Sequence, residues 1–233
     1  SSAEPGPEHA AWPTADIITG SSALDRFCDG LTVATFEVEH TPLELANQVA
    51  ERVPLRPSLE ALEAGQDRLK EKALLTRFDL NPVTHLGCDS VDSVRAAAER
   101  IGLPAILKTR CHGYDGKGQT RLKNQADLDA WYVSAPPVPS PGWVLESTLA
   151  FDREVSLIAV RSSAGTVRFY PPTENTHKDG VLRISRAPTP VPEQAWSRTQ
   201  ERVRALLESL DYVGVFTLEL FQVGDALFSN EIA

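Results

Sequence analysis

Lys108, a cluster of glycines just after it and two glutamates near the end of the chain are the residues whose types and spacing suggest chemistry. Lys108 closes the apolar run Pro104-Ala-Ile-Leu-Lys108, and Gly113-Tyr-Asp-Gly116-Lys117-Gly118-Gln119 follows within a few residues. A buried strand can fix one lysine as a point charge. Glycines then let backbone N–H groups approach phosphate oxygens without a Cβ in the way. The spacing is G-x-x-G-x-G rather than G-x-G-x-x-G, and no Ser or Thr follows Lys117 as a Walker-type loop requires. Taken alone, the same residues also suit a tight hairpin turn, because Asp-Gly is a strong turn signal.

The glutamates break the tie. Glu219 stands in Val-Phe-Thr-Leu-Glu-Leu-Phe, and Glu231 follows Asn230 in Leu-Phe-Ser-Asn-Glu-Ile. An unpaired carboxylate in an apolar strand is costly to bury. Each acid can escape that cost by facing solvent from an edge strand, or the two can share a divalent cation. Mg²⁺ is commonly held by one or two carboxylates plus substrate phosphates, which complements a lysine–glycine loop and favours the metal, with Mn²⁺ as a substitute. A further acidic group, Glu37 and Glu39 with His40, follows the β-rich run Leu31–Phe36. That is the strand edge where α/β sheets place ligands, although a solvated loop leading into a helix accounts for it equally well.

The elements that must position these residues can be read in order. Residues 1–13 are Pro- and Gly-rich loop, and Asp16–Ile18 is a short strand candidate. Ser21 or Ser22 caps a helix through Phe27, Leu31–Phe36 is a strand, and Pro42 opens a helix to about Arg52. That pitch suggests a parallel α/β piece too short for a complete doubly wound domain. Residues 58–79 are helical, with Leu59, Leu62, Leu69, Ala73 and Phe78 inward, Gly65 as the break, and Arg68, Lys70 and Lys72 on a solvated face. After a turn at Asn81-Pro82-Val83 comes a helix with Val91, Val94, Ala98 and Ile101 inward, capped by Asp89 or Ser90 and stopped by Gly102. The strand to Lys108, the glycine loop, a return strand over 119–122 and a helix from Asn124 to about Tyr132 make a lid-sized unit. Four prolines within Ser134–Gly142 read as a linker or hinge. Strands follow at 143–146, 154–160, 166–170 and 181–185, then a helix over 192–210 with Trp196, Thr199, Val203, Leu206, Leu207 and Leu210 on one face. The chain closes on a hairpin of 213–221 and 226–232.

Composition narrows the class. At 233 residues, 42% hydrophobic and 24% charged, the chain is an ordinary globular protein with room for a substantial core. A net charge of −9 argues against a nucleic-acid surface. Cys28, Cys88 and Cys111 are odd in number and lack C-x-x-C spacing, so neither a disulfide framework nor a zinc site is indicated. No apolar run approaches a membrane span and no signal peptide is visible, which points to the cytosol. The chain has no methionine, begins Ser-Ser-Ala-Glu-Pro-Gly-Pro and stops at Ser229-Asn-Glu-Ile-Ala233 directly after a strand-like run, so a processed or truncated product is expected and both termini read as artificial.

Pro104–Lys108 and Gly113–Gln119, with Glu154-Val-Ser, Phe169-Tyr-Pro171, Glu174-Asn175, His177-Lys-Asp-Gly180, Tyr212-Val-Gly214, Glu219 and Asn230-Glu231, together resemble the 5-(carboxyamino)imidazole ribonucleotide synthases. These are ATP-grasp ligases of purine biosynthesis, and the resemblance runs in register from about residue 31 to the end. The related formate-dependent glycinamide ribonucleotide transformylases and biotin carboxylases look different at the glycine loop. The resemblance implies an α/β chain with α+β character in its second half, an ATP-grasp fold carrying a remnant of a Rossmann-like domain. The expected divisions are 1–56 for that remnant, 57–84 for connecting helices, 85–147 for the lid and 148–233 for the C-terminal subdomain.

The resemblance also implies roles. Arg68 and Lys108 contact ATP phosphates, and Gly113, Tyr114, Asp115, Gly116, Lys117, Gly118 and Gln119 close over them. Glu146, Ser147, Thr148 and Leu149 form the segment whose backbone meets adenine, and Glu154 accepts from the ribose. His177 and Asn230 contact nucleotide, and Glu219 and Glu231 hold Mg²⁺. Tyr114, Asp115 and Lys117 also face the imidazole ribonucleotide and are the catalytic candidates, with Arg a frequent counterpart of Lys117. Glu37 or Glu39 contacts that substrate from the amino-terminal domain. The implied reaction takes ATP, bicarbonate and aminoimidazole ribonucleotide through carboxyphosphate in a homodimer, with no nucleic-acid or membrane partner. Further segments at both ends belong to the family pattern. Without them, two alternatives stay open: a different ATP-grasp ligase, or a nucleotide-binding module without catalysis.

Overall fold

The computed structural model describes residues 21–111, 113, 118–178 and 181–233. The strand expected at Asp16–Ile18 and the loop residues Tyr114, Asp115, Gly116 and Lys117 lie outside these. The described elements are α1 (Ser21–Cys28), α2 (Leu43–Ala50), α3 (Leu59–Gln66), α4 (Arg68–Arg77), β1 (His85–Cys88), α5 (Val91–Ile101), β2 (Ala105–Thr109), β3 (Gln119–Leu122) and α6 (Gln125–Val133). They continue with β4 (Trp143–Ser147), β5 (Arg153–Arg161), β6 (Val167–Phe169), β7 (Thr173–Lys178), β8 (Val181–Arg186), α7 (Glu193–Ser209), β9 (Gly214–Val223) and β10 (Ala226–Ile232).

Two antiparallel sheets organise the chain. The first runs β1-β4-β2-β3 and the second β10-β9-β5-β7-β8, with β6 paired to β5. In the first sheet Ala105, Leu107, Trp143 and Leu145 point into a core shared with Val94, Ala97 and Ala98 of α5 and Leu128 of α6. In the second, Val155, Leu157 and Ala159 of β5 and Phe216, Leu218 and Leu220 of β9 pack on Trp196, Val203, Leu206 and Leu207 of α7. Strand alternation therefore sends Lys108 and Glu146 to the opposite face of the first sheet, and Glu154, Ser156 and Glu219 to the opposite face of the second. A third core joins Leu24, Ala46, Val49 and Leu62 of the first three helices.

Several expectations need correction. Leu31–Phe36 is not a strand, because only Ala34 pairs, as a single parallel bridge to Leu55. The helical break falls at Asp67 rather than Gly65, since Asp67 leaves helical geometry and its carboxylate caps α4 by accepting from the Leu69 N–H at 3.0 Å. Ala73 is exposed, whereas Glu71, Lys72 and Leu75 are the buried residues of α4. The proline-rich stretch, expected as a linker or hinge, joins α6 to β4. It delivers β4 between β1 and β2, and Gly142 at its end has φ +121°, with an added Cβ falling 2.6 Å from the Cys88 carbonyl oxygen. No side chain fits there without moving backbone.

Helix α5 begins on a reciprocal cap, with Ser90 Oγ accepting from the Ser93 N–H at 3.2 Å and Ser93 Oγ accepting from the Ser90 N–H at 3.0 Å. Ser90→Ala is expected to cost about 1 kcal/mol, read as a shifted urea midpoint with unchanged slope.

Candidate functional site

The site is assembled by α4, whose polar side chains reach both sheets. Its start is fixed by Asp67, which is 6% exposed and is gripped by Arg110 Nε at 3.0 Å and by Arg110 Nη2. Burial pushes the Asp67 carboxyl up, but Arg110 and the Leu69 N–H outweigh it and hold it below the ordinary range. The Arg68 N–H also donates to the Arg110 carbonyl at 3.0 Å, so the helix start is tied to the end of β2, beside the glycine loop. From there Arg68, Glu71, Lys72 and Leu75 recur at helical spacing on one face.

Lys72 and Lys108 converge on one carboxylate. Register pairs Ile106 with Glu146, which puts Lys108 diagonally across from Glu146 on the same face. Lys108 Nζ lies 2.7 Å from Glu146 Oε2, and Lys72 Nζ lies 3.1 Å from Glu146 Oε1. The three side chains are 9%, 1% and 3% exposed for Lys108, Lys72 and Glu146. Burial raises the Glu146 pKa, yet Lys108 and then Lys72 overcome it, and the carboxyl sits below its usual value. Lys72 Nζ also donates to the Asn230 carbonyl at 3.1 Å, joining the first sheet to β10 of the second.

A bulge in β10 creates the acidic side. Ser229 pairs with Leu220 and Ile232 with Leu218, so Asn230 and Glu231 together oppose Glu219 alone. Asn230 Nδ2 donates to Glu219 Oε2 at 3.4 Å. Burial and then the Glu231 charge raise the Glu219 pKa, the signature of two carboxylates crowded together. Glu231 Oε2 meets Arg68 Nη1 at 3.0 Å, and Arg68 Nη2 donates to the Gly113 carbonyl at 3.2 Å. His177 Nδ1 contacts Glu154 on the neighbouring strands, close enough for both groups to act on Glu219.

Thus Arg68, Lys108, Gly113, Glu146, Glu219, Asn230 and Glu231 form one connected cluster, with Glu154 and His177 beside it. Gly118 adopts φ +73° and its carbonyl accepts from the Thr109 N–H at 2.9 Å; an added Cβ would fall 2.7 Å from Thr109 Oγ1. Gln119 opens β3 opposite Lys108. Ser147, Thr148 and Leu149 leave β4 over the Pro104 carbonyl, which accepts from Thr148 Oγ1 at 2.8 Å. Glu39 stands at the rim, where partial burial and Glu231 push its pKa up, and Gln66 Nε2 holds its carbonyl at 2.6 Å. Glu37 is exposed and makes no hydrogen bond or ion pair among the described residues. The expectation that Lys72 lies on a solvated face is overturned, and Glu71 is buried beside it. Their spacing from Arg68 and Leu75 was the available signal.

Two antiparallel sheets, with cations on one and paired carboxylates on the other, are the arrangement of an ATP-grasp domain. Residues 73–233 match the ATP-grasp domain family, and the chain belongs to it. The N5-carboxyaminoimidazole ribonucleotide synthase of Pseudomonas aeruginosa is 40% identical over 210 residues, covering 90% of this chain and 57% of that protein. The crystal structure of N5-carboxyaminoimidazole ribonucleotide synthetase from Thermus thermophilus superposes with a TM-score of 0.80 at 40% identity, covering 91% of this chain and 57% of that one. The N5-carboxyaminoimidazole synthetase of Staphylococcus aureus complexed with ADP gives 0.81 at 29% identity, over 91% and 56% of the two chains. The chain therefore spans somewhat over half the length of these relatives. Among the described residues no helix is long and apolar enough to cross a membrane.

Proposed function

We propose that this chain carries the nucleotide-binding part of an ADP-forming ligase that carboxylates 5-aminoimidazole ribonucleotide with bicarbonate. The observation that carries the reading is the link made by α4 between the Lys72–Glu146–Lys108 cluster and the bulge presenting Asn230 and Glu231 to Glu219, in a chain 40% identical to a relative of that name. A bicarbonate oxygen attacks the γ-phosphorus of ATP, giving carboxyphosphate and ADP. The exocyclic amine of the ribonucleotide then attacks the carboxyl carbon, phosphate leaves, and the amine loses a proton.

Such phosphoryl transfer asks mainly for positioning and charge neutralisation. Lys108 and Arg68 would contact the phosphates, the strand end at Glu146–Leu149 the adenine, and Glu154 with His177 the ribose side. Tyr114, Asp115 and Lys117 would close over the phosphates and face the acceptor, excluding the water that hydrolyses carboxyphosphate. Glu39, close enough to feel the Glu231 charge and anchored through its carbonyl by Gln66, is a better acceptor-side candidate than Glu37, although both side chains are exposed. The donor set of Glu219, Glu231 and the Asn230 amide suits a hard divalent cation, whose charge would offset the burial and the Glu231 charge that together raise Glu219. Mg²⁺, or Mn²⁺ in its place, would supply neutralisation of the phosphate oxygens. The reading includes a homodimer, open to sedimentation measurement, and a reducing, cytosolic setting consistent with three free cysteines.

The test is ADP release from the full chain with Mg-ATP. The expected result is turnover that requires both bicarbonate and aminoimidazole ribonucleotide. Turnover indifferent to that amine overturns the reading in favour of another acceptor, and Mg-ATP binding without any ADP overturns it in favour of a binding module.

A further inference from the structure

The buried triad is unbalanced in charge. Glu146 is one carboxylate with an ammonium on each oxygen, Lys108 at 2.7 Å and Lys72 at 3.1 Å, so the group carries one net positive charge away from water. The third contact of Lys72, the Asn230 carbonyl at 3.1 Å, is a neutral dipole and leaves that excess in place. The neighbouring cation Arg68 is already matched by Glu231 at 3.0 Å. A buried excess charge is costly until an opposite charge arrives. Were Glu146 paired with Lys108 alone, an approaching phosphate would meet a neutral pair whose carboxylate offsets part of the ammonium's attraction. The side chain of Lys72 is 1% exposed and cannot meet a ligand itself, whereas that of Lys108 is 9% exposed and keeps an open side.

We propose that Lys72 is a positioning residue of an electrostatic kind: by sharing Glu146 it frees the charge of Lys108 for a bound polyphosphate. This rests on reading the cluster as a nucleotide site and adds to it a residue that never touches the nucleotide. The same charge sharing ties phosphate affinity to the strand that carries Asn230 and Glu231, since Lys72 holds both.

Isothermal titration of the full chain with Mg-ATP, tripolyphosphate and adenosine tests it. Lys72→Met is expected to weaken ATP and tripolyphosphate roughly tenfold or more, the scale of one unit charge at low effective dielectric, while adenosine affinity stays unchanged. Lys72→Arg keeps the charge and is expected to stay within about threefold of wild type. The decisive variant is Lys72→Met with Glu146→Gln, which again leaves Lys108 with one net charge beside a neutral amide. It is expected to regain most of the lost phosphate affinity, and it remains informative if the single variant does not fold. A double variant as weak as Lys72→Met would mean that Lys72 only holds β10 in place, and the proposal fails. Wild-type binding with an indifferent Lys72→Met also overturns it while sparing the site. Absence of both ATP and tripolyphosphate binding in the wild type removes the site and the proposal together.

Discussion

Glu231→Gln is expected to abolish the Mg²⁺ dependence of nucleotide binding, with a loss of at least about a hundredfold in Mg-ATP affinity, since even indirect partners of metal ligands cost up to that much. The bulge makes this position special. Asn230 and Glu231 share the single opposing residue Glu219, so the two carboxylates stand together although they lie on different strands. Glutamine keeps the shape and can still accept from Arg68, but it halves the anionic charge available to a cation. Without the Glu231 charge the Glu219 pKa should fall back toward the ordinary carboxylate value, because that charge is one of the causes raising it. Stability should change little, as the Arg68–Glu231 pair is partly exposed, 15% and 37% for the two side chains. Titration of ATP with and without Mg²⁺, beside a urea denaturation of the same variant, separates these effects. An unaltered difference between the two titrations would remove Glu231 from the metal site.

The parts of the site legible in the sequence were those whose chemistry is local. Lys108 ends an apolar run, the glycines are self-announcing, and Glu219 stands out because its strand neighbours Leu218 and Leu220 must both face a core. The face of α7 was equally readable, because helical periodicity survives any tertiary context. What escaped depends on partners distant in sequence. Lys72 looks like any surface lysine until β4 and β10 bring Glu146 and the Asn230 carbonyl to it. Strand β7, Thr-Glu-Asn-Thr-His-Lys, has no apolar alternation because its buried Asn175 bonds to Ser156 Oγ at 2.6 Å rather than to hydrocarbon. Strand β1 spans only His85–Cys88 and is defined by its antiparallel partner β4, which arrives after the proline-rich stretch. The bulge itself has no sequence mark, yet it is what makes Glu219 and Glu231 a pair.

Glu71 leads to a pH dependence with a definite sign. Its residue is 3% exposed, its Oε1 accepts from the Ile232 N–H, and burial pushes its pKa from 4.5 up to about 8. The folded state therefore holds this proton more tightly than the unfolded chain. The resulting stability is complete below about pH 4.5 and is lost progressively as pH rises through 8. With each pH unit between those two values worth ~1.4 kcal/mol, a few kcal/mol are at stake, a large share of a domain's net stability. Glu39 and Glu219 are raised as well and slope the same way, so the wild-type curve alone does not isolate Glu71. Glu71→Gln does: the amide mimics the neutral acid and can still accept from Ile232. The variant is expected to match wild type near pH 4 and to exceed it by a few kcal/mol near pH 9, read from urea midpoints across that range. Ionised Glu71 would also stand near Glu231, which already acts to raise its pKa, so alkaline pH should loosen the end of β10 before the core unfolds. Hydrogen exchange at Ile232 and Ala233 would register that loosening in the wild type and not in Glu71→Gln. Parallel exchange in both proteins would mean that the carboxyl is ionised without consequence for the strand.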